Sequence, residues 1–171
     1  MQLRKLESKD AFLMLEWMHD KTVVGQLQSD FHSKTLKDCL LFIDSAQDTT
    51  FNMHMAVVNE NDIYMGTVSL KYIRRGIAEF AITVRKSAMG MGYAKFAMDE
   101  IVGIGFGRLG LKTIYWCVSE KNNRAIHFYK KNGYKKINLK EEGLYEEIVE
   151  SGVYTGLQIS KYIWYAIKND G

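Results

Sequence analysis

Glu79-Phe80-Ala81-Ile82-Thr83-Val84, followed after a short polar connection by Met89-Gly90-Met91-Gly92-Tyr93-Ala94-Lys95-Phe96-Ala97-Met98, reads as a strand, a glycine turn and the opening of a helix. Gly90 and Gly92 lack the Cβ atoms that would hold a ligand off the backbone. Successive N–H groups can therefore converge on one anion, where the helix N-terminus adds positive potential. Such a turn suits a phosphate or pyrophosphate.

Upstream, Leu3 to Leu6 reads as a first strand, and Ser8 is an N-cap candidate for a helix running to His19 with Leu13, Met14 and Trp17 among its apolar residues. Residues 20–34 carry no regular pattern. A second helix is expected after Ser33 or Thr35, with Leu36, Leu40 and Ile43 on its buried side. Strands then follow at 52–58, 63–73 and 77–84, separated by turns at Glu60-Asn61-Asp62 and Arg74-Arg75-Gly76.

Downstream the pattern alternates: helix 92–107, strand 113–118, helix 122–132, and strands around 145–149 and 162–167. Gly103, Gly105 and Gly107 each cost a helix about 1 kcal/mol relative to Ala, so its end is either frayed or packed closely on a neighbour. The fold class is α/β (α+β): a mixed, mostly antiparallel central sheet with helices on both faces.

The 171 residues fit a single domain, 1–171, with 47% hydrophobic and 25% charged residues. No apolar run approaches the roughly 20 residues of a membrane helix, and the N-terminus lacks the apolar core of a signal peptide. A soluble, cytoplasmic protein is expected, with no membrane partner. A net charge of +3 with lysine pairs only at 130–131 and 135–136 does not make a nucleic-acid surface, so no nucleic acid is expected. Cys39 and Cys117, and the histidines at 19, 32, 54 and 127, show no metal-ligand spacing. The chain has no proline, so its turns rest on Gly, Asn, Asp and Ser.

Nucleotides, dinucleotides and coenzyme A are all held by variants of a glycine turn. A dinucleotide fingerprint fails because Lys95 falls where a small residue is needed, and a P-loop fails because Gly92 is followed by Tyr93-Ala94 rather than Lys-Ser/Thr. Met89-Gly90-Met91-Gly92-Tyr93-Ala94 resembles motif A of the GNAT N-acetyltransferase superfamily, Q/R-x-x-G-x-G/A, with Met89 at the Gln/Arg position. Asn122-Asn123-Arg124-Ala125-Ile126-His127-Phe128-Tyr129, ending at Gly133-Tyr134, resembles motif B in the expected order and separation. The Ala78-Glu79-Phe80 approach looks most like the branch of ribosomal-protein, polyamine and amino-sugar-nucleotide acetyltransferases.

The resemblance implies acetyl-CoA as co-substrate. Its pyrophosphate would lie on the N–H groups of Gly90, Met91, Gly92, Tyr93 and Ala94 beside Met89, and its pantetheine arm along Ile82, Thr83 and Val84 with Asn122. It implies a GNAT-like fold and is compatible with a homodimer. The acceptor is expected to be a small-molecule or peptide amine. Mild positive charge disfavours a polycation and favours an anionic amine such as an amino-sugar nucleotide, with a protein N-terminal amine close behind.

Acyl transfer from a thioester needs a neutral amine, a polarised carbonyl and a proton for the departing thiolate. Glu79 is the candidate for the first task; it shares a strand face with Ala81 and Thr83, whose small side chains leave room for substrate. The alternative for Glu79 is a solvated charge near a strand end or a structural ion pair with Arg74 or Arg75. A main-chain N–H near Ile82, freed by a bulge or splay, is the candidate for the second. Tyr129, on the flank of the Ala125-Phe128-Asn132 stripe, is the candidate for the third, the alternative being a core tyrosine. Cys117 shows no activating base in the sequence, so direct attack in a ternary complex is expected rather than an acetyl-cysteine. The competing class is a non-catalytic acyl-CoA-binding or interaction module on the same fold.

Overall fold

The computed structural model describes residues 1–27 and 29–169. Among the described residues, six strands form one sheet in chain order: β1 (Gln2–Lys5), β2 (Met53–Val58), β3 (Tyr64–Arg74), β4 (Ile77–Val84), β5 (Thr113–Ser119) and β6 (Tyr162–Lys168). Every pairing is antiparallel except β4 with β5. A parallel neighbour needs a crossover, and α4 (Tyr93–Gly107) supplies it. No helix among the described residues is long and apolar enough to cross a membrane.

Alternation along the strands sorts side chains to two faces. On one face Val68, Leu70, Ala78, Phe80, Ile114 and Trp116 pack against α4 and α5 (Asn123–Lys131). The opposite face carries two separate apolar clusters. Over its first strands lie α1 (Ala11–His19), α2 (Lys21–Val24) and α3 (Leu36–Ser45), burying Met14, Trp17, Cys39 and Ile43. Beside its last strands lie α6 (Tyr145–Glu150) and α7 (Gly156–Lys161), burying Leu144, Ile148, Ile159 and Trp164.

Several local expectations are corrected. The first helix is not capped by Ser8: Glu7 and Asp10 form a capping box around a short 3-10 turn, and α1 begins at Ala11. The irregular stretch holds the short helix α2, with the Asp20 side chain accepting from Thr22 N–H; Gln28 lies outside the described residues. Thr35 does cap α3, but Leu40 is exposed and Cys39 takes its place in the core. Residues 145–149, expected as a strand, are helix α6. Leu144 and Ile148 are the buried pair at a spacing of four, and Glu146 and Glu147 occupy the first turn, where carboxylates suit the helix dipole.

The three glycines of α4 divide by environment. A Cβ at Gly103 or Gly107 would meet nothing within 4 Å, whereas one at Gly105 would lie 2.8 Å from Ile114 Cδ1, 3.1 Å from Leu70 Cδ1 and 3.2 Å from Leu111 Cδ1. Of the three, Gly105 is the one at which α4 presses on the sheet. Gly103→Ala is expected to stabilise the protein by about 1 kcal/mol through helix propensity. In Gly105→Ala the same gain is offset or exceeded by about 1–3 kcal/mol of overpacking. Urea unfolding of both variants checks the order, and a Gly105→Ala protein as stable as Gly103→Ala would refute the close packing.

Candidate functional site

Pairing between β4 and β5 stops almost as soon as it begins. Ile77, Ala78 and Glu79 partner Thr113, Ile114 and Tyr115, after which β4 continues to Val84 and β5 to Ser119 without meeting. Against β3 the register of β4 is unbroken from Glu79 to Val84, so there is no bulge at Ile82; the opening there is a splay. The Arg85 N–H donates to the Met65 carbonyl at 2.8 Å, which directs the main-chain groups of Thr83 and Ala81 toward β3 and those of Val84 and Ile82 toward the space β5 has left.

That space is a cavity of about 330 Å³. Ile82, Thr83 and Val84 form one wall, Met89, Gly90, Gly92 and Ala94 its mouth, and Asn122, Ala125, Phe128 and Tyr129 of the α5 segment the other wall. Two of the expected ligand residues are elsewhere in the turn: Met91 points outward, 61% exposed, and the Tyr93 ring is buried in the core under α4. Their side chains are off the cavity, although their N–H groups remain in the turn.

Gly90 and Gly92 adopt φ of +77° and +88°, the left-handed region that favours glycine, and a Cβ on Gly90 would point into open space. Gly92 is the N-cap of α4 without a side-chain cap, and the first main-chain bond back into the turn is Phe96 N–H to the Gly92 carbonyl at 3.0 Å. The N–H groups of Tyr93, Ala94 and Lys95 have no main-chain partner among the described residues, as the first turn of a helix requires. Lys95, Arg124 and Lys131 add three cations to the lining, and none of the described lining residues is a carboxylate. The arrangement has the chemistry to accept an anion at its mouth, next to a mostly apolar slot. The sequence did not reveal these cations because charge spacing alone does not say which flank of a helix faces a cavity.

Arg124 lies against the Met89 side chain. Its guanidinium lies 3.3 Å from the Met89 sulfur and donates to the Thr22 and Val23 carbonyls at 2.9 and 3.0 Å, tying α2 to α5 across the cavity rim. Asn122 caps α5 by accepting from Ala125 N–H at 3.0 Å.

Tyr129 is 6% exposed, its ring packed against Trp116, Tyr165 and Phe128 at centroid distances of 5.1–5.2 Å. Burial pushes its hydroxyl well above the ordinary tyrosine range, so it keeps its proton at neutral pH.

Glu79 does not line this cavity. It sits on the opposite face, only 4% exposed, and its partner is neither Arg74 nor Arg75, which pair with Glu147 of α6. One Glu79 oxygen lies 2.7 Å from Lys71 Nζ, and the other accepts from the Tyr154 hydroxyl at 2.9 Å. Cys117 Sγ–H in turn reaches the Tyr154 oxygen at 3.4 Å. On the same face His54 Nδ1 is 2.7 Å from Ser69 Oγ, the Cα partner of His54 across β2 and β3. These groups form a polar strip between the two apolar clusters of that face. No group of three or more His, Cys, Asp or Glu among the described residues is arranged to hold a metal ion.

Residues 1–135 match the family described as Acetyltransferase (GNAT) domain. Over 87 residues the chain is 31% identical to spermidine N(1)-acetyltransferase of Vibrio cholerae, a match covering 51% of this chain and 47% of that protein, about half its length. Over 173 residues it is 24% identical to an uncharacterized N-acetyltransferase, p20, of Bacillus licheniformis, covering 98% and 93% of the two chains. Among solved structures, the V. cholerae spermidine N-acetyltransferase in complex with CoA and spermine superposes with a TM-score of 0.70 at 20% identity, over 80% of this chain and 82% of that one. The PaiA N-acetyltransferase of Thermoplasma acidophilum in complex with coenzyme A gives 0.71 at 17% identity, over 98% of each.

Burial, with Lys71 nearby, pushes the His54 imidazole down to about 4. The unfolded chain, with His near 6.5, then binds a proton that the folded protein refuses, so stability is full above pH 6.5 and falls as pH drops toward 4, by at most about 3 kcal/mol. His54→Gln is expected to flatten that stretch of the stability profile in urea titrations between pH 4 and 7. An unchanged slope would show that His54 takes up its proton as readily in the folded state as in the unfolded one.

Proposed function

The chain belongs to the GNAT acetyltransferase family, and from that premise we propose that it transfers the acetyl group of acetyl-CoA to a primary amine by direct attack in a ternary complex, with a polyamine as acceptor. The observation that carries the donor half is the splayed cavity, with a cationic glycine turn at its mouth and Tyr129 on its wall.

In this reading the pyrophosphate sits on the turn from Gly90 to Ala94, where the helix N-terminus and Lys95 supply positive potential. The pantetheine arm runs along β4, pairing with the main chain at Ile82 and Val84 as a strand would, while Asn122 and Phe128 flank it. The Ile82 N–H stabilises charge developing on the acetyl oxygen. Full proton transfer from Tyr129 to sulfur is disfavoured, because a thiol titrates near 8.5 and burial has raised the phenol well above that. Tyr129 acts instead by a hydrogen bond to the thiolate as the C–S bond breaks. A binding module without catalysis would have no use for that hydroxyl.

On the acceptor side, an amino-sugar nucleotide or a protein N-terminal amine, expected from net charge, finds no support in the relatives named above, two of which are spermidine acetyltransferases. Net charge is a property of the whole surface, whereas the acceptor nitrogen meets one face of the sheet, where Glu79 is a buried carboxylate beside the splay. Glu79 is the base of this reading.

Calorimetric titration with acetyl-CoA should show binding. Thiol release across spermidine, spermine, nucleotide amino sugars and peptides should be highest with the polyamines; a preference for nucleotide sugars would overturn that assignment. Tyr129→Phe should lower kcat about 10–100-fold with acetyl-CoA affinity unchanged. Wild-type turnover in that variant, with chemistry rate-limiting, would remove Tyr129 from the mechanism.

A further inference from the structure

Glu79 is in the right region for a base and in the wrong position to touch a substrate. It is 4% exposed, covered by Lys71 on one oxygen and by Tyr154 on the other. Tyr154 lies 75 residues away in sequence, in the connection between α6 and α7, and only half-buried. Its ring is held edge-on against Trp164 and Tyr162, with centroids 5.2 and 6.0 Å apart. Its hydroxyl spans the root of the splay, donating to Glu79 on β4 and accepting from Cys117 on β5.

We propose that Tyr154 is a catalytic residue, relaying the acceptor's proton to the buried Glu79 carboxylate. This rests on the acetyl-transfer reading above. A phenol that donates to a carboxylate keeps oxygen lone pairs for an incoming N–H, and the thiol now on one of them is a weak donor that an ammonium displaces. An aliphatic amine arrives as ammonium, since its pKa is near 10.4. As its N–H bond breaks, a new O–H bond forms on Tyr154. The original Tyr154 O–H bond breaks together with it, and its proton forms an O–H bond on Glu79 Oε2, leaving Tyr154 unchanged and the amine neutral. The amine then forms the N–C bond and the C–S bond breaks. The second nitrogen proton ends on sulfur as the thiol, and Glu79 returns its proton to solvent. The balance is ammonium plus thioester giving amide, thiol and one proton. Lys71 remains ionised on the other oxygen throughout.

The test compares wild type, Tyr154→Phe, Glu79→Gln and the double variant, with spermidine as acceptor and thiol release as readout. Thermal melting confirms folding, and calorimetry confirms unchanged acetyl-CoA affinity. Tyr154→Phe should lower kcat about 100-fold, and the double variant should be no slower than Glu79→Gln alone, because the two residues act as a unit. With chemistry rate-limiting, rates in mixtures of light and heavy water should curve for wild type, as two protons in flight require, and run straight for Tyr154→Phe. A Tyr154→Phe rate within twofold of wild type, additive losses, or a straight wild-type plot would overturn the relay and leave acetyl transfer standing. A wild type that binds acetyl-CoA but acetylates no amine would overturn both.

Discussion

Two neighbouring strands that pair for three residues and then part organise the rest of this molecule. Because β4 and β5 run parallel, they cannot be joined by a hairpin, and the connection has to climb over the sheet as a helix. That helix begins where β4 ends. Its unpaired N–H groups, its dipole and the exposed main chain of Ile82 and Val84 are thus delivered to the same end of the sheet by one topological requirement. Had β5 followed β4 to its tip, the slot would be filled by ladder hydrogen bonds and the glycine turn would face a closed wall.

The same splay separates two chemistries. On the α4/α5 face, Tyr129 stands among Trp116, Phe128 and Tyr165, a desolvated setting that holds a proton on oxygen. On the other face, Lys71, Glu79, Tyr154 and Cys117 form a chain of polar contacts left between two apolar clusters. The two sets of groups lie on opposite sides of the fork, and the sheet keeps each from interfering with the other.

Much of this was legible in the sequence because it is local. The meander from β2 to β4, the glycine turn, the Asn122 cap and the α5 stripe all depend on residues within one or two turns of each other. Tyr145 to Val149 reads as a strand because Tyr, Ile and Val favour strands, while the helical spacing of Leu144 and Ile148 spans too few residues to stand out. The partners of Glu79 were not legible at all. Arg74 and Arg75 are near in sequence, yet the hairpin register places Lys71 opposite Glu79, and Tyr154 arrives from a segment that no periodicity connects to β4. Met89 stands in the sequence as a departure at the Gln/Arg position; that Arg124 lies against it depends on α5 packing across the cavity.

The spatial order of the strands, β1 through β6, is the order in which the ribosome makes them. Among the described residues, each strand through β5 finds its one earlier neighbour in the sheet already in place, and β6 alone is laid between β5 and an earlier segment, the bridge at Lys136. Assembly can therefore proceed as growth from one edge, with β6 added last. Along that path the sheet precedes the site: by residue 84 four strands can pair, but the slot has no second wall until α5 has been made, and the Glu79 partner Tyr154 arrives later still. The nascent chain is thus a scaffold before it is a pocket, and the side chains on the two sides of the fork come together only in the final third of its synthesis.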